Sequence, residues 1–535
     1  MTSPSQSHLL VMLHGHLPFV HHPEHPSFLE EDWLFEGLSD CYLPLLRAFD
    51  GWRTDHIDAS VTMGLSPPLL SMWINPSLQE RAERYMDGRV RLAQRYLETL
   101  SSDSGFRAAA EDALEEAEHT LAFYQFLDRN PARAFAQHHH EGRVDLITCG
   151  ATHGLMPVLL DEGSCQAQVR QAIAVHEDVL GFRPRGIWLP ECGIHPMALS
   201  QLAKEDLHFT FSESRAVRFA QPPPVYGTYR PIFSPQGVCV FPRDPIAAKE
   251  VWSAEEGYPG DFSYREFYRD LGYDADEELL DDIHKQGTGD RKNVGVKLHR
   301  ITGQVELGAK EPYDPAAAAR QIATHAAHFA DRRIMQARHL THSLHAPPCV
   351  VTSFDAELFG HWWYEGPRFL DAAIRHLHHR RDEEGCPRPV SASAYLANHH
   401  RHQMAEPAVS SWGDQGAFQV WVNEKNDWLW RCIHDARLRL RNVIRDHRNQ
   451  DSEIVESALL QACREVMLAQ SSDWPFIITM DTQAGYALKR PLQHLSRAHQ
   501  LMHGIEQNQL DWEQIKRIES RDPVFPRVEL EPFMS

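Results

Sequence analysis

The sequence predicts an α/β barrel followed by an all-helical segment. Three observations predict this. Apolar runs of strand length recur, and each ends in polar residues able to do chemistry. Helical spacing fills the chain between them. After about residue 405 the strand-like runs stop and only helical spacing remains. In α/β barrels the C-terminal strand ends carry the chemistry, so the polar residues at those ends are the ones to follow.

The first strand-like run is Leu9 to Leu13, ending in His14-Gly15-His16-Leu17-Pro18. Residues 77–135 mix charged and apolar positions at helical spacing and read as a helical block. Val144 to Gly150 reads as a second strand, followed by Ala151-Thr152-His153-Gly154, and Gln166 to Leu180 as a helix. Arg185 to Glu191 reads as a third strand with a polar end. Residues 221–275 are rich in proline, glycine and aromatics, which suits a working loop or insert better than a linker. Cys349 to Phe354 is the clearest strand and ends in Asp355-Ala356-Glu357. Beyond residue 405, Leu429, Ile433, Ala436, Leu440 and Val443 step at helical spacing, as do Val455, Leu459, Ala462, Val466 and Ala469. No repeat or low-complexity tract interrupts the chain.

Composition narrows the function. With 535 residues, one large catalytic domain plus additions is expected. The expected division is 1–404, with a helical insert near 75–135 and a loop-rich insert near 221–290, and then a helical domain over 405–535. A net charge of −21 argues against a nucleic-acid partner and is compatible with a neutral polymer. The nine cysteines are scattered and never form C-x-x-C, a pattern of reduced thiols in a cytoplasm. The opening residues lack the basic region and small-residue cleavage site of a signal peptide. No apolar run approaches the about 18 residues of a membrane span.

Glu191, in Trp188-Leu189-Pro190-Glu191-Cys192-Gly193, is the first chemical candidate. An apolar strand end perturbs a carboxyl, and Trp188 offers a face for a sugar ring. The plainer alternative is a strand-end salt bridge. Asp355 is the second, with His361 and Trp362 crowding the turn that follows; its plainer alternative is a helix N-cap. Brought to about 5–5.5 Å, two such carboxyls can run a retaining glycosyl transfer, one attacking and the other acting as acid and then base. His14, His16 and His153 stand at strand ends, where they can bond sugar hydroxyls. Trp412, Asp473 and Gln483 can line a subsite, or pack and cap. Trp421, Trp428 and Trp430 read as core, and the histidine clusters at 138–140, 376–379 and 399–402 as solvated surface. A zinc site built on His14 and His16 needs a third ligand, and no H-E-x-x-H helix supplies it.

The stretches HGHLP (14–18), GRVDLITCGATHG (142–154), WLPECG (188–193), FDAELFGHWW (354–363) and SSWG (410–413) together resemble the ordered conserved regions of glycoside hydrolase family 57. Several others, DWLFEGLSDCYLPLL (32–46), VWSAEEGYPGDFSYREFYRDLGYD (251–274) and SSDWPF (471–476), resemble its 1,4-α-glucan branching enzymes. The resemblance implies a (β/α)7 barrel with helical insertions and a C-terminal helical domain that helps form the cleft. It implies Glu191 as nucleophile, Asp355 as acid/base, no cofactor or metal, and an α-glucan substrate contacted by Trp412, Asp473, Gln483 and Arg265. It also implies a loop tyrosine that shields the intermediate from water, aligned within about 230–247. That segment contains no tyrosine; Tyr229 lies just before it and Tyr258 well after. Weaker water exclusion favours hydrolysis. The rivals are therefore an α-amylase or 4-α-glucanotransferase with the same site, a metal-dependent deacetylase using the three histidines, and a non-catalytic glucan-binding protein.

Overall fold

The computed structural model describes residues 6–253, 255–284 and 291–534. Seven parallel strands curl into a barrel in the order β7-β5-β4-β3-β2-β1-β8. They are β1 (His8–Gly15), β2 (Val61–Leu65), β3 (Val144–Cys149), β4 (Gly186–Trp188), β5 (Phe209–Ser212), β7 (Cys239–Pro242) and β8 (Cys349–Asp355). The short β6 (Ile232–Phe233) runs antiparallel to β7, and β9 (Arg388–Pro389) lies beside β1. Across the seam between β7 and β8, the Asp244 N–H donates to the Val351 carbonyl at 2.7 Å. β1 and β8 are nearly continuous apolar runs because both faces of a parallel sheet are covered. Their register places His14 opposite Asp355, and β1 against β2 places His14 opposite Gly64.

The helical block resolves into helices Pro76–Thr99, Arg107–Phe126 and Pro131–His140. Asn75 and Asn130 cap the first and third, each followed by proline at the first helical position, where the missing N–H costs nothing. The helix read from Gln166 begins earlier, at Glu162, because Asp161 accepts from Ser164 N–H at 2.7 Å; it ends at Leu180, before a left-handed Gly181.

Three expectations need correction. The third strand is short: β4 stops at Trp188, since Pro190 has no N–H for the ladder, and Glu191 sits in a tight turn beyond it. The segment 230–247, expected to hold a mobile loop, is the β6–β7 hairpin running into helix Pro245–Trp252. Its Val238 to Phe241 run buries both faces, and the prolines around it hid that signal. The rest of the 221–290 stretch holds helices Leu271–Asp274 and Glu277–His284, and positions 285–290 lie outside the described residues. His138, expected at the surface, is buried with its ring edge-on to Phe49.

Helices Asp427–His447, Glu453–Ala469, Asp473–Met480, Ala484–Glu506 and Trp512–Arg521 follow. They join the barrel through buried polar contacts. Gln168 Nε2 donates to Gln470 Oε1 at 3.0 Å, and Gly154 forms a β-bridge with Ser471. Inside this region Glu465, His494, Arg497, Arg490 and Asp522 form a buried ionic cluster. No helix among the described residues is long and apolar enough to cross a membrane.

Candidate active site

A cavity of about 500 Å³ opens at the C-terminal strand ends. β1 contributes His14 and His16, the turn after β3 His153, the turn after β4 Glu191, and the end of β7 Arg243. β8 and its turn contribute Asp355, Glu357, His361 and Trp362. The remaining wall comes from Trp33, Trp252, Trp412 and Trp421, and from Asp473, Phe476 and Met480 of helix Asp473–Met480.

Glu191 is held in strained backbone. Its φ of 58° is left-handed, as is that of Cys192 at 52°. For non-glycine residues each costs about 1–3 kcal/mol and persists only where the surroundings enforce it. The segment before the helical region does so. The Ile194 N–H donates to the Ser410 carbonyl at 2.8 Å, and the Trp412 N–H to the Glu191 carbonyl at 3.0 Å.

The turn aims the Glu191 carboxylate at two donors. Ser472 Oγ–H donates to Oε1 and Trp412 Nε1–H to Oε2, each at 2.8 Å. Burial pushes this carboxyl up to about 7, with the two donors opposing the rise and the Asp473 anion adding to it. Ser472 has one proton and gives it to Glu191. It must therefore accept from His153 Nδ1–H at 2.8 Å, which leaves His153 Nε2 to accept from His14 Nε2–H at 3.0 Å. Burial holds both imidazoles well below the ordinary histidine range, so the relay is neutral.

Asp355 has the opposite setting. Among the described residues no hydrogen-bond donor reaches its carboxyl; it stands at the N-cap position of the turn Ala356–Leu358, but its side chain makes no capping hydrogen bond. Burial, then the anions Glu357 and Glu191, raise it well above the carboxylate range, opposed by Arg243. Glu357 is itself anchored by the His16 backbone N–H at 3.1 Å and by the Tyr42 hydroxyl. Past it the chain turns at Gly360, whose φ of 115° and approach to the Asp40 carbonyl leave no room for a Cβ; a Cβ would lie 1.8 Å from that oxygen. This turn puts His361 and Trp362 into the wall.

His16 stacks on His153 with ring centroids 3.8 Å apart and bonds Ser66 Oγ and Asp473 Oδ2 at 2.8 and 3.0 Å. Burial pushes the Asp473 carboxyl up, but His16, His153 and Ser471 together outweigh it and hold it at about 2. His14, Cys149 and His153, and also His16, His153 and Asp473, lie close enough to share an ion. In the second group the hydrogen bonds just described already engage both nitrogens of each ring.

The family model described as Glycosyl hydrolase family 57 matches residues 10–384. The chain belongs to glycoside hydrolase family 57. A second model, described as 1,4-alpha-glucan branching enzyme, C-terminal, matches residues 432–533 of this family 57 chain. The chain is 28% identical to the 1,4-alpha-glucan branching enzyme TK1436 of Thermococcus kodakarensis, over 99% of this chain and 79% of that protein. Among solved structures, the alpha-amylase AmyC of Thermotoga maritima is 36% identical with a TM-score of 0.91, covering 99% of both chains. The family 57 branching enzyme of Pyrococcus horikoshii is 28% identical with a TM-score of 0.87, covering 99% of this chain and 97% of that one. These family 57 relatives share the (β/α)7 barrel and the helical C-terminal region.

The fold thus brings nine of the expected site residues of this family 57 chain to one cavity: His14, His16, His153, Glu191, Asp355, His361, Trp362, Trp412 and Asp473. Three lie elsewhere. Trp188 is wholly buried behind the wall, its ring stacked on His14 at 4.9 Å and edge-on to Trp412 at 5.1 Å, so no face is free for a sugar. Arg265 is buried with its guanidinium 3.3 Å from the Tyr364 ring centroid. Gln483 is exposed at the start of helix Ala484–Glu506, off the cavity wall. Sequence reasoning passed over Arg243, Ser472 and Trp421. Arg243 follows β7, whose strand signal the flanking prolines hid. Trp421 has 2% exposure, which fits its core reading, yet its remaining edge faces the cavity.

Proposed function

We propose that this family 57 chain is a 1,4-α-glucan branching enzyme acting by a retaining, two-step mechanism. The observation that carries this is the contrast between two carboxyls on one cavity: Glu191 faces donors and Asp355 faces anions. Donors favour an ionised group and anions a protonated one, which assigns the attacking carboxylate and the acid. Glu191 attacks the anomeric carbon while Asp355 gives its proton to the leaving oxygen. The glycosyl ester carries no charge, so one of the three anions that raise the Asp355 carboxyl is gone. Asp355, left ionised by the first step, takes the proton of the incoming glucose 6-hydroxyl as that oxygen attacks the anomeric carbon and the bond to Glu191 breaks. The aromatic walls suit an α-glucan chain, and relatives named as branching enzymes support the same substrate. The nine cysteines, all unpaired, accord with a cytoplasmic setting.

One observation favours a second reading. Among the described residues no tyrosine lines the cavity, and the 36% identical AmyC is described as an alpha-amylase. With less cover over the ester, water competes as acceptor. Incubation with amylose decides: branching yields new α-1,6 linkages with few new reducing ends, and hydrolysis the reverse.

Removing one donor tests the Glu191 assignment. Ser472→Ala is expected to move the acid limb of kcat/KM up by about one pH unit, because the lost hydrogen bond favoured the ionised carboxylate. An unmoved limb would remove Glu191 as the group that must ionise.

A further inference from the structure

We infer that a run of aromatic rings leading out of the cavity to Phe267 and Tyr268 is an extended glucan subsite with Tyr268 at its outer end; the inference rests on the glucan reading of the cavity. In the wall, Trp252 meets Trp362 edge-on at 5.9 Å, each 44% exposed. Trp362 neighbours His361 at 6.4 Å, His361 meets Phe267 edge-on at 5.4 Å, and Phe267 meets Tyr268 at 5.0 Å. Tyr268 is 74% exposed. An isolated exposed tyrosine is ordinary on a protein surface. This one continues, ring by ring, from the wall of the catalytic cavity.

The backbone at the outer end of the run is held. The Tyr268 N–H donates to Glu266 Oε1 at 2.9 Å, and Glu266 in turn pairs with Lys310 at 2.9 Å. The Lys297 ammonium lies 4.1 Å from the Phe267 ring centroid and backs that ring. A ring carried on a fixed backbone gives up less entropy when a sugar face stacks on it. The occupant is committed by continuity with the cavity: a glucan chain too long for about 500 Å³ must leave it, and this run offers sugar-stacking surface along one way out.

The consequence is a dependence on chain length. Tyr268→Ala is expected to lower kcat/KM for long amylose on the order of fivefold, about the worth of one aromatic contact. The loss should shrink as the substrate shortens through a ladder of maltooligosaccharides, and the transferred chains should become shorter. Tyr268→Phe keeps the ring and should recover the loss. Tyr273→Ala, on the same insert at 53% exposure and without a ring contact to the run among the described residues, should not show the length dependence. An active wild type with a Tyr268→Ala effect that is absent, or equal at every length, would overturn this inference alone. A wild type inert on amylose would overturn the glucan reading of the site and the inference with it.

Discussion

Glu191→Gln is expected to lower turnover on amylose by about 10⁵-fold, the scale of losing a nucleophile, while making the folded protein more stable at pH 8. The amide keeps the shape of the carboxylate and cannot attack. The stability gain follows from where the carboxyl sits. In the folded protein it titrates near 7, against an ordinary value of 4.5, because burial penalises its charge. As pH rises from the ordinary value through 7, the unfolded chain ionises freely and the folded chain resists, so stability is lost over that window. Glutamine bears no charge and escapes the loss. The gain in stability, read as a rise in Tm, should be near zero at pH 4 and reach about a few kcal/mol of unfolding free energy above pH 7. One of the two donors then faces the amide nitrogen, which offsets about 1 kcal/mol of it. Near-normal turnover, or a Tm change of equal size at pH 4 and pH 8, would contradict the role assigned to this residue.

Asp355→Asn is expected to cost about 10³- to 10⁴-fold on amylose, the range of general acid–base catalysis. Its signature is what restores activity. A glucosyl fluoride needs no proton on its leaving group, so attack by Glu191 should proceed in the variant at a much smaller cost. Azide needs no base, so it should release the ester and return a glucosyl azide of retained configuration. Neither reagent helps Glu191→Gln, which lacks the attacking group. Product analysis with both donors separates the two roles. An Asp355→Asn defect of the same size on amylose and on the fluoride would mean that the residue does not move a proton. Glu357 bears on the same point. It is the nearest anion to Asp355 in effect, and its own anchors, the His16 N–H and the Tyr42 hydroxyl, keep it in place through both steps.

The structure also sorts the expected residues by the kind of information that reveals them. His14, Asp355 and His153 follow strands whose apolar runs are unmistakable, so their place at the barrel mouth was legible. Glu191 was legible as a candidate, but the strand assigned up to it ends three residues earlier, and its aim comes from a left-handed turn pinned by Ser410 and Trp412. Trp188, beside Glu191 in the chain, promised a sugar platform and is instead buried backing for His14. The hairpin over 230–247 was hidden because flanking prolines and glycines signal a loop more strongly than four apolar residues signal a strand. Arg243 was hidden with it.

The sequence by itself displayed four of the barrel strands, β1, β3, β4 and β8, the helical C-terminal region and the carboxylates at positions 191 and 355. Periodicity and strand-end polarity are local properties that a chain displays in one dimension. Tertiary structure alone decided which carboxylate faces donors and which faces anions, that Ser472 joins His153 to Glu191 and Asp473 meets His16 from far along the chain, and that Arg265 and Gln483 stand off the wall. Charge state and access are set by groups that meet through space, and spacing along the chain does not encode those meetings.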